Sequence, residues 1–420
     1  MISMTNPPSF PVTRIESAVR YLLLLALFSV SFSTALTNVF VGLAYIGFVL
    51  ALCTSRGLRA VRLAPPALLA LALLALYVIG ASWSIAPQDD IRTALQKYSR
   101  LLILPMVIAM SWRDPALPGR ALAWFLAGAG VLALSCYLVS IGMMPTSSRG
   151  WWRVSTEAND AYVFRNHVTI GILLGFAANA SFLIATHSAT ARARALAIAA
   201  GVLFAVPVVF LSQGRSGYVA LLLGAFTVFL LRTRVTPLRT LAAVAAIALL
   251  SAGFYFASPN MKSRTDDLVT ELRTERPRSP NGLRLSFMRA SLGVVASHPL
   301  LGLGTGSFAQ AYAPIALADW PAGSGMALAR HQPHSEFLLV AVQLGLLGML
   351  VYFSMLASLG SAALRQRSIE ADSLALLWVI YVVTSAFNSL LWDTTEAHWF
   401  LLLAGCLYVG ALRRQAAPAC

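Results

Sequence analysis

Charge is scarce in this chain. Asp, Glu, Lys and Arg make up 11% of its 420 residues, 58% are hydrophobic, and mean hydropathy is +0.74. Soluble proteins carry about a quarter charged residues. So small a share excludes a soluble domain, and a formal net charge of +15 therefore raises the question of where the bases lie relative to a membrane. Cysteine is sparse too. Cys53, Cys136 and Cys406 lie in or beside apolar runs and Cys420 is the last residue. None has metal-ligand spacing or sits in a loop that a disulfide would staple, so they read as small apolar residues. The centres of the apolar runs carry scarcely a charge, and no transporter-like internal repeat stands out; both absences argue against a polytopic transporter or flippase. The outer loops hold no Asp-x-Asp pair. Asp89–Asp90 and Asp266–Asp267 are adjacent acids and read as solvated charge.

What remains is mostly membrane. Twelve apolar stretches are candidate spans, near 21–36, 38–54, 64–82, 98–112, 120–142, 167–186, 195–212, 216–231, 238–256, 336–360, 373–391 and 399–412. The first follows Arg14 and Arg20 in the manner of a signal peptide, but a second run follows almost at once, and we read it as an uncleaved span. With the N-terminus inside, 16 of the 31 Lys and Arg fall in inner segments, which net +12 against +3 outside. Every inner loop is basic, the signature of an N-in, C-in chain with an even number of spans. The expected fold is an all-α integral membrane protein of about 12 transmembrane helices. Residues 1–256 hold helices one to nine, 257–335 one long outer loop, and 336–420 helices ten to twelve.

Topology does not require bases on the outside, so those present are informative. Arg149, Arg153 and Arg165 lie in one outer loop. Arg215 lies in a short outer turn, "LSQGRSGY", between two spans. One reading is an arginine snorkelling from a span end; the other is an anion site, where a guanidinium clamps phosphate beside free backbone N–H groups of a helix start. Lys262, Arg264, Arg273, Arg276, Arg278, Arg284, Arg289 and Arg330 lie in the long loop. Within it, Leu285, Met288, Leu292 and Val295 fall on one helical face beside Arg284 and Arg289. That predicts an amphipathic helix on the membrane surface or on the bundle, whose arginines would contact lipid headgroups or substrate. "GLGTG" at 302–306 follows no strand and precedes no Lys-Ser/Thr, so it reads as a turn and not as a nucleotide loop.

His167, His187, His298 and His398 read as structural. His331 and His334 are three apart, but Pro333 separates them and no third ligand has metal spacing. His334 directly precedes an apolar span, where it either flanks the helix or acts as a general base near neutral pH. Glu336 is an acid suited to a first helical turn, or a neighbour that tunes His334.

Three stretches in order, "GRSGYVALLL", "NGLRLSFMRA" leading to "HPLLGLGTGSF", and "HSEFLLVAVQLGLLG", resemble the O-antigen ligase/polymerase family. Met288 stands where the family often has Trp, and Gln343 where it often has an acid. The resemblance implies a GT-C-like glycosyltransferase, closest to an O-antigen ligase of lipopolysaccharide biosynthesis. It would work at the periplasmic face of a Gram-negative inner membrane, moving a glycan from undecaprenyl diphosphate to lipid A–core. O-antigen polymerase or protein O-oligosaccharyltransferase is the alternative within the family. It further implies Arg215 and Arg284 as diphosphate ligands and His334 as the base, with Arg289, Glu336 and His331 as accessory candidates. Partners would be donor, acceptor and bilayer, with no nucleic acid. No cofactor or metal is expected: arginines do the work of a metal, and in-line displacement inverts the anomeric centre.

Overall fold

Backbone in hydrocarbon has no water to bond, so apolar runs fold as helices that satisfy their own N–H and C=O groups. The computed structural model of the protein describes residues 11–144, 161, 163–234, 236–274, 280–319 and 331–413. In chain order its helices are α1 (Arg14–Ser29), α2 (Thr34–Thr54), α3 (Arg56–Arg59), α4 (Pro65–Gly80), α5 (Gln88–Tyr98), α6 (Ile103–Arg113), α7 (Leu117–Ser140), α8 (His167–His187) and α9 (Ala191–Val206). There follow α10 (Arg215–Arg232), α11 (Pro237–Ala257), α12 (Pro259–Thr274), α13 (Pro280–Ser297), α14 (Phe308–Asp319), α15 (Glu336–Leu364), α16 (Ile369–Ser385) and α17 (Thr394–Arg413). Arg149, Arg153, Arg276, Arg278, Arg330 and Cys420 lie outside the described residues.

Among the described residues, nine helices are long and apolar enough to cross a membrane. The other three expected spans coincide with shorter helices: α1 of 16 residues, α6 of 11 and α16 of 17. A full crossing takes roughly 20 residues, and these three fall short of it as regular α-helix. They are packed inside the bundle, where α6 continues from a 3-10 turn over Ser99–Leu102. The apolar core runs through all of them, and α8 and α17 form its centre, with 83% and 94% of their spans buried.

The described residues of the long segment between α11 and α15 are largely helical, carrying α12, α13 and α14. Of the two placements expected for the apolar face of α13, on the membrane surface or on the bundle, the bundle is not the one taken: α13 packs through another face. Phe287, Ala290, Ser291 and Val294 are buried, while Leu285, Met288 and Leu292 are exposed by 42, 41 and 52%. The small Ala290 and Ser291 let this face lie close, and Phe287 fills an aromatic cluster with Tyr312 and Phe308 of α14, ring centroids 4.7 and 5.7 Å away.

The glycine-rich stretch after α13 is a strap. α15 breaks at Gly345, where φ is 60°, and the strap supplies the hydrogen bonds the break leaves open. Leu346 N–H donates to Pro299 O (2.8 Å) and Leu347 N–H to Leu300 O (3.2 Å); Leu303 N–H donates to Val342 O (2.8 Å) and Gly304 N–H to Gln343 O (3.0 Å). Two glycines face each other there. A Cβ on Gly302 would stand 2.4 Å from Val342 O, and one on Gly345 2.4 Å from the Leu300 carbonyl carbon. Gln343 explains its own amide: it accepts from Gly306 N–H (2.7 Å) and donates to the Tyr98 hydroxyl (3.4 Å), two roles that a carboxylate does not combine.

Candidate active site

Arg215 is the first residue of α10, directly after the turn that separates it from a π-helical segment, Pro207–Leu211. Gly214 and Gly217 bring this turn against α8: a Cβ on Gly214 would meet His167 O at 2.3 Å, and one on Gly217 the Gly171 Cα at 2.6 Å. Such small residues allow membrane helices to approach backbone to backbone. The start of α12 holds the other side. Ser258 donates to Val209 O (2.5 Å) and Asn260 to Phe210 O (3.0 Å), which satisfies carbonyls at the π-helical turn, and Arg264 donates to Gln213.

His334 is the residue before the N-cap of α15, Ser335. Its φ is 54°, in the left-handed region that costs a non-glycine residue energy and that recurs at functional sites. Its ring lies 6.0 Å from that of Phe287. Phe287 is one helical turn beyond Arg284, so both lie on one side of α13. Arg284 is half-buried, and its guanidinium pKa is lowered from the usual range: burial is the largest cause and the charge of Arg215 the next, with Glu271 opposing. Two cations are therefore held within each other's field at the mouth where His334 sits.

A second link joins the same elements. Asn388 donates from Nδ2 to Ser216 Oγ (3.1 Å), and its carbonyl accepts from Glu336 N–H (3.2 Å). Thus the residue after Arg215 is two hydrogen bonds from the first residue of α15. Glu336 is fully buried, and its carboxylate accepts from Leu391 N–H (2.9 Å), Trp392 N–H (3.4 Å) and the Tyr98 hydroxyl (3.3 Å). These bonds fix the start of α15 to the 386–393 loop.

The remaining candidates lie further out. Arg289 is exposed on α13; five residues from Arg284 is about 140° around a helix. His331 Nδ1 is 3.6 Å from Asp90 Oδ1 at a half-exposed position. Among the described residues no three His, Cys, Asp or Glu side chains converge to hold a metal ion.

Sequence reasoning missed a polar layer behind His334. Lys97 Nζ donates to Trp392 O (3.1 Å) and stands 4.7 Å over the Trp392 ring centre. Arg100 donates to Trp392 O (3.3 Å) and Thr394 Oγ1 (2.7 Å). Gln332, two residues before His334, donates to Asp393 Oδ1 (3.4 Å). Burial, and then the Glu396 carboxylate, push the Asp393 pKa above the usual carboxylate range. The signal was available: with the expected topology Lys97 and Arg100 are, like Arg215, bases that it does not require.

Residues 199–353 match the sequence model of the O-antigen ligase family. The matched segment runs from within α9 past the Gly345 break, so it contains Arg215, Arg284, the strap and His334. No curated protein matches the chain. The polar layer of Lys97, Arg100 and Asp393 comes from outside the matched segment.

Proposed function

We propose that the protein is an O-antigen ligase. It transfers a glycan from undecaprenyl diphosphate to lipid A–core at the periplasmic face of the inner membrane. Supporting this is one arrangement above the others: a strained His334 beside the helix that presents Arg284, with Arg215 in the field of Arg284. The family is one of glycosyltransferase-like membrane enzymes, and the bundle supplies a lipid phase for a polyprenyl carrier.

In this mechanism Arg215 and Arg284 bind the donor diphosphate; their mutual repulsion is relieved when the anion arrives. The neutral His334 imidazole takes the proton of an acceptor sugar hydroxyl. The hydroxyl oxygen attacks the anomeric carbon as the bond from that carbon to the diphosphate oxygen breaks. Undecaprenyl diphosphate leaves with the bonding pair, and the anomeric configuration inverts. Diphosphate is a good leaving group, so charge stabilisation by the arginines replaces a general acid. The polyprenyl tail lies in an apolar groove of about 560 Å³ lined by Phe210, Leu249, Leu250 and Phe254, next to the Arg215 turn.

The test supplies purified enzyme with lipid-linked glycan and purified lipid A–core. A glycan–lipid A–core product is expected. His334→Ala should lower transfer about 10²–10⁴-fold, and Arg215→Ala about 10²–10³-fold, the size of losing one preorganised charge-stabilising group. Glycan extended on the lipid carrier instead would make the protein a polymerase. Wild-type rates in either variant would overturn the assigned roles, as would activity lost to a chelator and restored by a divalent ion.

A further inference from the structure

The other end of α10 holds a second concavity, about 730 Å³, lined by Phe229, Arg232, Thr233, Arg234, Arg239 and Ala242. α10 has 18 residues from Arg215 to Arg232, so this pocket lies about 26 Å from the candidate active site. Its three arginines are not equivalent. Arg232 is engaged by the bundle: it reaches Asp372 Oδ2 (3.4 Å) and His187 Nε2 (3.3 Å) and donates to Thr186 O (3.2 Å). Arg239 donates to Arg234 O (3.3 Å), which holds it across the pocket. Among the described residues no carboxylate lies within ion-pair distance of Arg234 or Arg239. Phe229 and Ala242 supply the apolar part of the lining, a floor on which hydrocarbon can rest. α11 meets the bundle so little that 6% of its span is buried.

We propose that this pocket binds an anionic phospholipid, its phosphate held by Arg234 and Arg239 and its acyl chains in the crevice between α10 and α11. Two uncompensated guanidinium groups call for an anion. The apolar floor and the sparsely packed α11 call for one that carries hydrocarbon. A free phosphate would satisfy only the first requirement. The proposal is independent of the transferase reading, since none of these residues belongs to the candidate active site.

Full-length protein in detergent is titrated with phosphatidylglycerol and with phosphatidylcholine, and bound lipid is counted by native mass spectrometry. Phosphatidylglycerol should bind more tightly. Arg234→Gln and Arg239→Gln should each weaken it about 5-fold, from roughly 1 kcal/mol per basic residue at an anionic surface, and together remove the preference. The single variants, read separately, decide the matter if the double variant does not fold. Arg192→Gln with Arg194→Gln, in the first turn of α9 and outside the pocket, should leave the preference intact. Equal binding of the two lipids would overturn the proposal, as would an equal loss in that control pair. Displacement of phosphatidylglycerol by glycerol 3-phosphate at equal affinity would assign the site to free phosphate and overturn it too.

Discussion

α11 and α17 are both apolar helices of spanning length, with 21 and 20 residues, yet they occupy opposite environments. The span of α17 is 94% buried and that of α11 is 6% buried. The more polar of the two is the inner one. α17 opens with Thr394, Thr395, Glu396 and His398, and the last three are buried against neighbouring helices. α11 turns Leu238, Leu241 and Leu249 outward. In lipid, apolarity does not mark the interior, since hydrocarbon is as good a neighbour as Leu. Polar side chains mark it, because only protein can satisfy them. The candidate active site follows this rule. His334 stands at the mouth of the well-buried half, before the polar layer that ends at Asp393 and Arg100. The apolar groove proposed for a lipid tail lies on the α11 side.

The contrast can be broken by substitution. Leu402→Ala at the centre of α17 should cost about 2–5 kcal/mol, read as a lower unfolding temperature in detergent. Leu249→Ala on α11 should stay within about 0.5 kcal/mol; equal losses would mean that α11 is buried as well. Gly345→Ala should cost about 1–3 kcal/mol for its left-handed backbone, with a further loss from the contact with Leu300. It should lower transfer along with stability, because the strap positions Arg284. Asp393→Asn sharpens the comparison through pH. Unfolded, this carboxyl titrates near 3.8; folded, burial raises it to about 8. The fold favours the neutral form, so stability is fully present below pH 4 and declines as pH rises through the higher value. The asparagine variant should lose that decline and be the more stable protein at pH 8, as followed by unfolding temperature against pH. The smallest effect belongs to Arg289→Ala, which should change transfer less than about 2-fold, as for a surface residue away from the reacting atoms.

Much of the helical scaffold was legible because hydropathy reports directly on segments able to cross a membrane. Each of the twelve apolar stretches coincides with a helix, though α1, α6 and α16 are shorter than the runs that announced them. Arg215 and Arg284 drew notice as bases that the expected topology does not require, and His334 as a polar residue at the mouth of a span; the structure brings the elements that carry them together. The strap was not legible. "HPLLGLGTGSF" reads as a turn, since no local pattern reveals that it pairs with a break 40 residues later. The spacing of α13 showed where its leucines fall and left open whether they meet membrane or bundle; it did not reveal the second face, through Phe287, Ala290, Ser291 and Val294, that packs on the protein. α5 and α14 went unread because neither is long or apolar enough to be noticed as a span. Asp393, Glu396 and Lys97 look in sequence like ordinary residues at span ends. Their shared burial arises from the meeting of α5, α15 and α17, which are far apart in the chain.

The strap has a consequence for the proposed transfer of a bulky glycan. Four backbone hydrogen bonds clip the segment that follows α13 onto α15, so the helix that carries Arg284 is tied to the helix that His334 precedes. In the proposed mechanism the spacing between these two groups is then set by the fold and not by substrate. Arg215 stands on another element, α10, and the Ser216–Asn388–Glu336 link ties that element to the start of α15 as well. On the proposed reading, a long polymer must then be admitted without parting these three groups.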